Sequence, residues 1–230
     1  MTTTALTRVQ ELQDEWTRVI GTLDDTAVRA PSALPGWSRA HLLTHLARNA
    51  DAVGNLLTWA STGVEQPMYG PGTARDDDIN AGATRATAEI LADVVASGER
   101  LVDLAASLPD SAWTAPVRGR AGQPITGADA LTLRLAETTI HLVDLDAGHD
   151  FTSACALLGD RIDDVVANMI RMYLGDLPPI RLTDGTHVWT MAEGSTDLVT
   201  GTPGAVLAWA SGRPSADALD GPVPEFKSLV

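Results

Sequence analysis

The chain has 230 residues, 44% hydrophobic and 20% charged, with 16 basic against 30 acidic residues and a formal net charge of −14. That length suits one large domain or two small ones, and the composition is that of an ordinary soluble globular protein. The basic residues do not cluster and Lys227 is the only lysine, which argues against a nucleic-acid partner, and an anionic membrane surface would repel the chain.

The one cysteine, Cys155, excludes an internal disulfide and a cysteine-based zinc site, and reads as a small buried hydrophobe. The start, Met1-Thr2-Thr3-Thr4-Ala5, lacks the charged segment and apolar run of a signal peptide. No apolar stretch approaches a membrane span. The expected compartment is the cytoplasm.

Apolar periodicity predicts four long helices in the first 150 residues. The first runs from about Thr4 to Asp25, with Leu6, Val9, Leu12, Trp16, Val19, Ile20 and Leu23 on one stripe. Pro31 and Pro35-Gly36 break the chain. The second starts at Ser38, a good N-cap residue, and runs to about Ser61, with Gly63 as its stop. After a Pro- and Gly-rich loop, Asp76-Asp77-Asp78 sits where a helix N-terminus welcomes negative charge, a reading that outweighs a cation site there. The third helix then spans about Asp77 to Ser107 and ends at Pro109. Trp113 to Pro124 reads as a loop or short hairpin. The fourth helix runs from Thr126 or Ala128 to about Ala147 and closes at Gly148.

The pattern changes beyond Gly148. One more helix covers Phe151 to Met172. Ile180 to Thr183 and His187 to Met191 then flank Asp184-Gly185 as a hairpin, Asp197 to Thr200 is a third strand, and Pro203 to Ser211 is a short helix. The expected fold class is α+β: a four-helix bundle over residues 1–150 and a smaller α+β domain over residues 151–230. Facing helices of such a bundle are where metal sites form.

Two spacings carry chemistry. His41-Leu42-Leu43-Thr44-His45 places two imidazoles four apart, and Glu137-Thr138-Thr139-Ile140-His141 does the same for a carboxylate and an imidazole. Positions i and i+4 share a helix face. Two helices packed by these faces could offer two or three nitrogens and one carboxylate to a single divalent transition metal, with positions left open for chemistry. Each residue also has a plainer reading. His41, near the first turn, could bond the backbone. Glu137, on a mostly apolar helix, could pair with Arg134. Asp144 and Asp146 could support a ligand from behind or be solvated charges.

The segment Leu34-Pro35-Gly36-Trp37-Ser38-Arg39-Ala40-His41-Leu42-Leu43-Thr44-His45-Leu46-Ala47-Arg48-Asn49-Ala50 resembles the opening of the metal-binding helix in mycothiol-dependent maleylpyruvate isomerases, members of the DinB-like four-helix superfamily. The likeness continues through Trp59 to Gly63, Pro67-Met68-Tyr69 and Glu137-x3-His141-Leu142-Val143-Asp144-Leu145, and more faintly through Ala208-Trp209-Ala210-Ser211-Gly212-Arg213. The resemblance implies a DinB-like bundle holding zinc, or another divalent transition metal, on His45, Glu137 and His141, with His41 structural or behind the ligands. It implies that Arg213 binds the substrate or the thiol cofactor. The plainer reading of Arg213 is a surface residue in a Ser-Gly-Arg-Pro loop.

The implied activity is conversion of maleylpyruvate to fumarylpyruvate. A zinc-held mycothiol thiolate adds to the cis double bond, rotation follows, and elimination gives the trans isomer. The implied partners are a small anionic substrate and a low-molecular-weight thiol. Leu135-Ala136 stands where such isomerases tend to have polar or basic residues, and Thr132 and Leu133 also depart from the family. These departures keep two alternatives open: a thiol S-transferase or epimerase acting on another electrophile, and a non-catalytic metal-binding DinB-like protein.

Overall fold

The computed structural model describes residues 2–173, 180–191, 197–214 and 219–223. Helix α1 (Thr2–Ile20) buries Leu12, Trp16 and Ile20 from one stripe. It stops short of the predicted Asp25. Asp24 instead begins a separate short helix, α2 (Asp25–Arg29), by accepting the Ala27 N–H at 2.8 Å, as an N-cap aspartate does. Helix α3 (Arg39–Thr62) follows the expected course, starting after Ser38 and ending at Gly63, whose φ of +73° suits glycine.

The predicted third helix is two. α4 (Ala74–Gly82) has Asp76 and Asp77 in its first turn, where the helix dipole favours them. α5 (Thr87–Ser107) starts afresh, with Glu89 Oε2 accepting the Ala86 N–H at 3.1 Å. That local signal lies inside an alanine-rich run whose composition favours helix throughout. A 3₁₀ turn at Asp110–Trp113 leads to an antiparallel hairpin, β1 (Pro116–Arg118) with β2 (Pro124–Thr126), and then α6 (Gly127–Asp144), capped by Thr126 and Asp129.

The chain divides into two compact units, Met1–Ala147 and Gly148–Val230. In the first, α3 packs on α5 and α6, and α1 closes the ring against the same two helices, which makes a four-helix bundle. α3 is its axis, buried along most of its 24 residues. Trp16 adds a directional tie by donating its indole N–H to the Thr138 carbonyl at 3.0 Å, fixing α1 against α6. None of the described helices is long and apolar enough to cross a membrane.

In the second unit the predicted single helix is split at Gly159 (φ +54°) into α7 (Phe151–Leu158) and α8 (Ile162–Tyr173), joined by a 3₁₀ turn. Three short strands, β3 (Arg181–Thr183), β4 (Val188–Thr190) and β5 (Leu198–Thr200), pair in the order β4-β3-β5. β4 is antiparallel and β5 parallel to β3. α9 (Pro203–Ala210) is capped by Thr202 and packs on α7 so closely that a Cβ on Gly204 would meet the Phe151 backbone at 3.0 Å.

Candidate metal centre

Packing α3 against α6 brings the polar positions of two largely buried helices together. His45 comes from the second turn of α3, and Glu137 and His141 lie one turn apart on α6. His45 Nε2 is 3.0 Å from Glu137 Oε2 and 3.1 Å from His141 Nε2, and His141 Nε2 is 3.2 Å from the same carboxylate oxygen. The three atoms form a nearly equilateral triangle. A tetrahedral zinc ion with ligands at about 2.0–2.1 Å spaces them about 3.3 Å apart, so this donor set fits such an ion with little adjustment and leaves a fourth position open. Among the described residues, no other group of three His, Cys, Asp or Glu side chains converges in this way.

The electrostatics suit a cation. Burial pulls the His45 imidazole down to about 4, against the raising influence of Glu137, so His45 is a neutral nitrogen donor near pH 7. Burial would raise the Glu137 carboxyl, but the hydrogen bonds from His141 and His45 outweigh it and hold the group well below the usual carboxylate range. Burial likewise opposes the charged form of His141, yet its bonds to Asp144 and Glu137 raise it overall. The cluster thus accommodates one positive charge between an ionised carboxylate and two imidazoles, and a metal ion can replace the proton on His141.

Behind the triangle, Asp144 Oδ2 accepts a hydrogen bond from His141 Nδ1 at 2.8 Å and is 2% exposed. This bond turns Nε2 toward His45 and Glu137, the arrangement by which carboxylates orient metal-binding histidines. On the other side Arg75 Nη2 lies 3.3 Å from His45 Nδ1; a neutral His45 that accepts this bond carries its hydrogen on Nε2, facing Glu137, and a metal bound at Nε2 would shift that hydrogen to Nδ1 and release Arg75. The Arg75 guanidinium lies 5.8 Å from the centroid of the Tyr69 ring and 5.9 Å from that of Trp37, and Trp37 also meets the His45 ring edge-on at 5.5 Å.

The remaining candidates separate cleanly. His41 is not beside Glu137. Its Nδ1 accepts the Ser38 N–H at 3.3 Å and lies 2.7 Å from the Ser38 hydroxyl, so it caps α3 while its i+4 neighbour enters the cluster. Arg134 does not pair with Glu137 either. It is fully buried and donates to the Leu46 carbonyl at 2.9 Å and the Asn49 side chain at 2.8 Å, tying α6 to α3. Burial lowers its pKa to about 10, which leaves it cationic. Asp146, at φ +55°, is a largely exposed partner of Arg39. Arg213 lies in the second unit, in the turn after α9. Its backbone N–H donates to the Ala208 carbonyl at 2.8 Å and its Nη1 to the Ser211 carbonyl at 2.5 Å. Arg75 was hidden in the sequence by the three aspartates that follow it. Tyr69 stands in the matched Pro67-Met68-Tyr69 segment but gave no sign of its place beside Arg75.

No curated protein matches the sequence significantly. Among solved structures, the crystal structures of the mycothiol-dependent maleylpyruvate isomerase and of its histidine-to-alanine mutant each match at 27% identity with a TM-score of 0.84, over 100% of this chain and 97% of the solved one. The family model of the mycothiol maleylpyruvate isomerase N-terminal domain matches residues 9–146, from within α1 to just past the end of α6. The chain therefore belongs to the mycothiol maleylpyruvate isomerase family.

Proposed function

We propose that the protein is a zinc- and mycothiol-dependent cis–trans isomerase that converts maleylpyruvate to fumarylpyruvate. The observation that carries this reading is the convergence of His45, Glu137 and His141 within 3.2 Å of one another in a family of that activity. Zinc and mycothiol bound there would together supply a thiolate at neutral pH, a nucleophile suited to the electron-poor double bond of a cis-enedioyl acid.

The protein's own groups hold and tune that chemistry. His45 and His141 offer neutral nitrogens, and Glu137 offsets part of the cation's charge. Asp144 fixes the His141 tautomer through the 2.8 Å bond to Nδ1. The division of labour we propose gives metal binding to the bundle over residues 1–150 and substrate or thiol binding to the domain over residues 151–230. There Arg213, with its planar fork, is the candidate anchor for a carboxylate. A reduced small thiol as co-reactant fits a cytoplasmic setting.

The direct test is purified protein with mycothiol and maleylpyruvate. The expected result is thiol-dependent loss of the substrate's ultraviolet absorbance with formation of fumarylpyruvate. Consumption of mycothiol by other electrophiles without isomerisation would replace this reading with an S-transferase. Bound zinc with no reaction of either kind would make the protein a non-catalytic metal binder.

A further inference from the structure

We propose that Arg75, Arg118 and Arg120 form a carboxylate-binding subsite in the helical bundle, beside the His45–Glu137–His141 cluster and separate from Arg213. The choice of a dicarboxylic acid as its ligand rests on the proposed function; the anion site itself rests on geometry. The three arginines line a cavity of about 400 Å³ between the 65–76 segment and the β1–β2 hairpin, together with Trp59, Tyr69 and the acids Glu65 and Asp76. Acidic residues outnumber basic ones nearly two to one along the chain, with 30 against 16, and this cavity inverts that balance.

Arg75 is built in rather than loosely placed. Its side chain is 18% exposed, lies near both the Trp37 and Tyr69 rings, and reaches His45 Nδ1 with one end of its fork. Aromatic contacts of this kind hold a guanidinium in one plane, which lowers the entropy lost when it grips a planar anion. Its other amino group contacts Asp76 at 2.6 Å, but that acid is 59% exposed, and such solvent-screened pairs contribute little, so an incoming carboxylate can exchange for it. Arg118 and Arg120 are exposed at the hairpin tip and form no ion pair among the described residues; Arg118 donates only to the Gly122 carbonyl, at 3.3 Å. Two exposed cations lining the same cavity as one held fork suit a ligand that enters from solvent and is clamped at its charged end. A dicarboxylic substrate presents two anions, and a single arginine fork satisfies one of them. Arg75 both lines the cavity and contacts His45, so it is the residue that joins the anion site to the cluster.

The test is equilibrium binding of maleate, read by the fluorescence of Trp37 and Trp59 and by calorimetry, on the protein as purified and after chelator treatment. Maleate is expected to bind both preparations, and more weakly as salt is raised. Arg75→Gln should weaken binding about tenfold, and the Arg118→Ala/Arg120→Ala pair by a smaller factor, with no change in Tm because both side chains are exposed. The subsite is overturned if maleate binds all variants as it binds the parent, if binding needs the metal and ignores the arginines, or if the uncharged dimethyl ester of maleate binds as tightly as maleate. Arginine-dependent maleate binding without maleylpyruvate turnover would uphold the subsite and remove the proposed function. Turnover with an unchanged KM in the arginine variants would do the reverse.

Discussion

The Asp144 carboxylate accepts the Nδ1 hydrogen of His141 at 2.8 Å while Nε2 of the same ring faces His45 at 3.1 Å. One buried acid thus decides which lone pair a cation meets. Asp144→Asn keeps the size but can present its amide N–H₂ to Nδ1, which favours the tautomer with the hydrogen on Nε2. Zinc affinity should fall about 10- to 100-fold, the usual loss when such a supporting acid is removed. Competition against a chromogenic chelator measures it, and unchanged affinity would mean that the ring is oriented by packing alone.

His45→Ala and Glu137→Gln should each bring the metal content of purified protein close to zero while leaving the helical circular dichroism intact. The bundle core of Leu12, Trp16, Leu42, Leu56 and Leu135 does not include them. Elemental analysis decides the matter. Full zinc occupancy in either variant would remove that side chain from the ligand set.

The metal-free protein should show opposing pH dependences. His45, held to about 4 against an ordinary 6.5, leaves the unfolded chain with the extra proton between those values, so its contribution to stability is lost as pH falls through that window. Glu137 acts in the same direction: its depressed pKa contributes above the ordinary 4.5 and is lost on acidification. The raised pKa of His141 does the opposite, contributing fully below 6.5 and less as pH rises through the folded value. His45→Gln should therefore flatten the fall of Tm between about pH 6.5 and pH 4 in chelator-treated protein. A slope as steep as the parent's would show that His45 is not buried neutral.

The i,i+4 spacings made the metal cluster legible, because a helix face is set by sequence separation alone. Choosing between His41 and His45 was not possible from spacing, since both lie on that face. The deciding fact is that His41 falls three residues after the N-cap Ser38, within reach of its backbone N–H, while His45 lies a turn deeper against α6. Arg134 shows the same limit. Its sequence neighbour Glu137 was the natural partner, but Asn49, 85 positions away, holds it. Helix types were readable and helix breaks less so. The α4–α5 and α7–α8 interruptions depend on single residues, Glu89 as a cap and Gly159 at positive φ, inside runs whose composition favours continuing. Arg75 was out of reach because its surroundings, Trp37, Tyr69 and His45, come from three separate segments.

Arg213→Ala should retain zinc at the parent's stoichiometry and lose turnover, because Arg213 is not one of the three converging side chains, His45, Glu137 and His141, proposed to hold the metal. A rise in KM for maleylpyruvate would assign it to the substrate, and a rise in the mycothiol requirement would assign it to the thiol. Loss of zinc would contradict the division of labour between the two parts of the chain.

Two glycines offer a test of the bundle's packing, since the same one-carbon change should act with opposite signs. Gly54 lies in the middle of α3, and a Cβ there would find only Leu104 Cδ2, at an ordinary 3.8 Å. Gly54→Ala should stabilise the fold by about 0.5–1 kcal/mol, through helix propensity and a less flexible unfolded chain. Gly127 opens α6, where a Cβ would lie 2.3 Å from the Ala112 carbonyl oxygen, a backbone atom that cannot rotate away. Gly127→Ala should lower stability by about 1–3 kcal/mol as the 3₁₀ turn is pushed off the helix start. Thermal denaturation of the two variants reads both effects. A raised Tm for Gly127→Ala would mean that the turn at Asp110–Trp113 yields freely and does not fix where α6 begins.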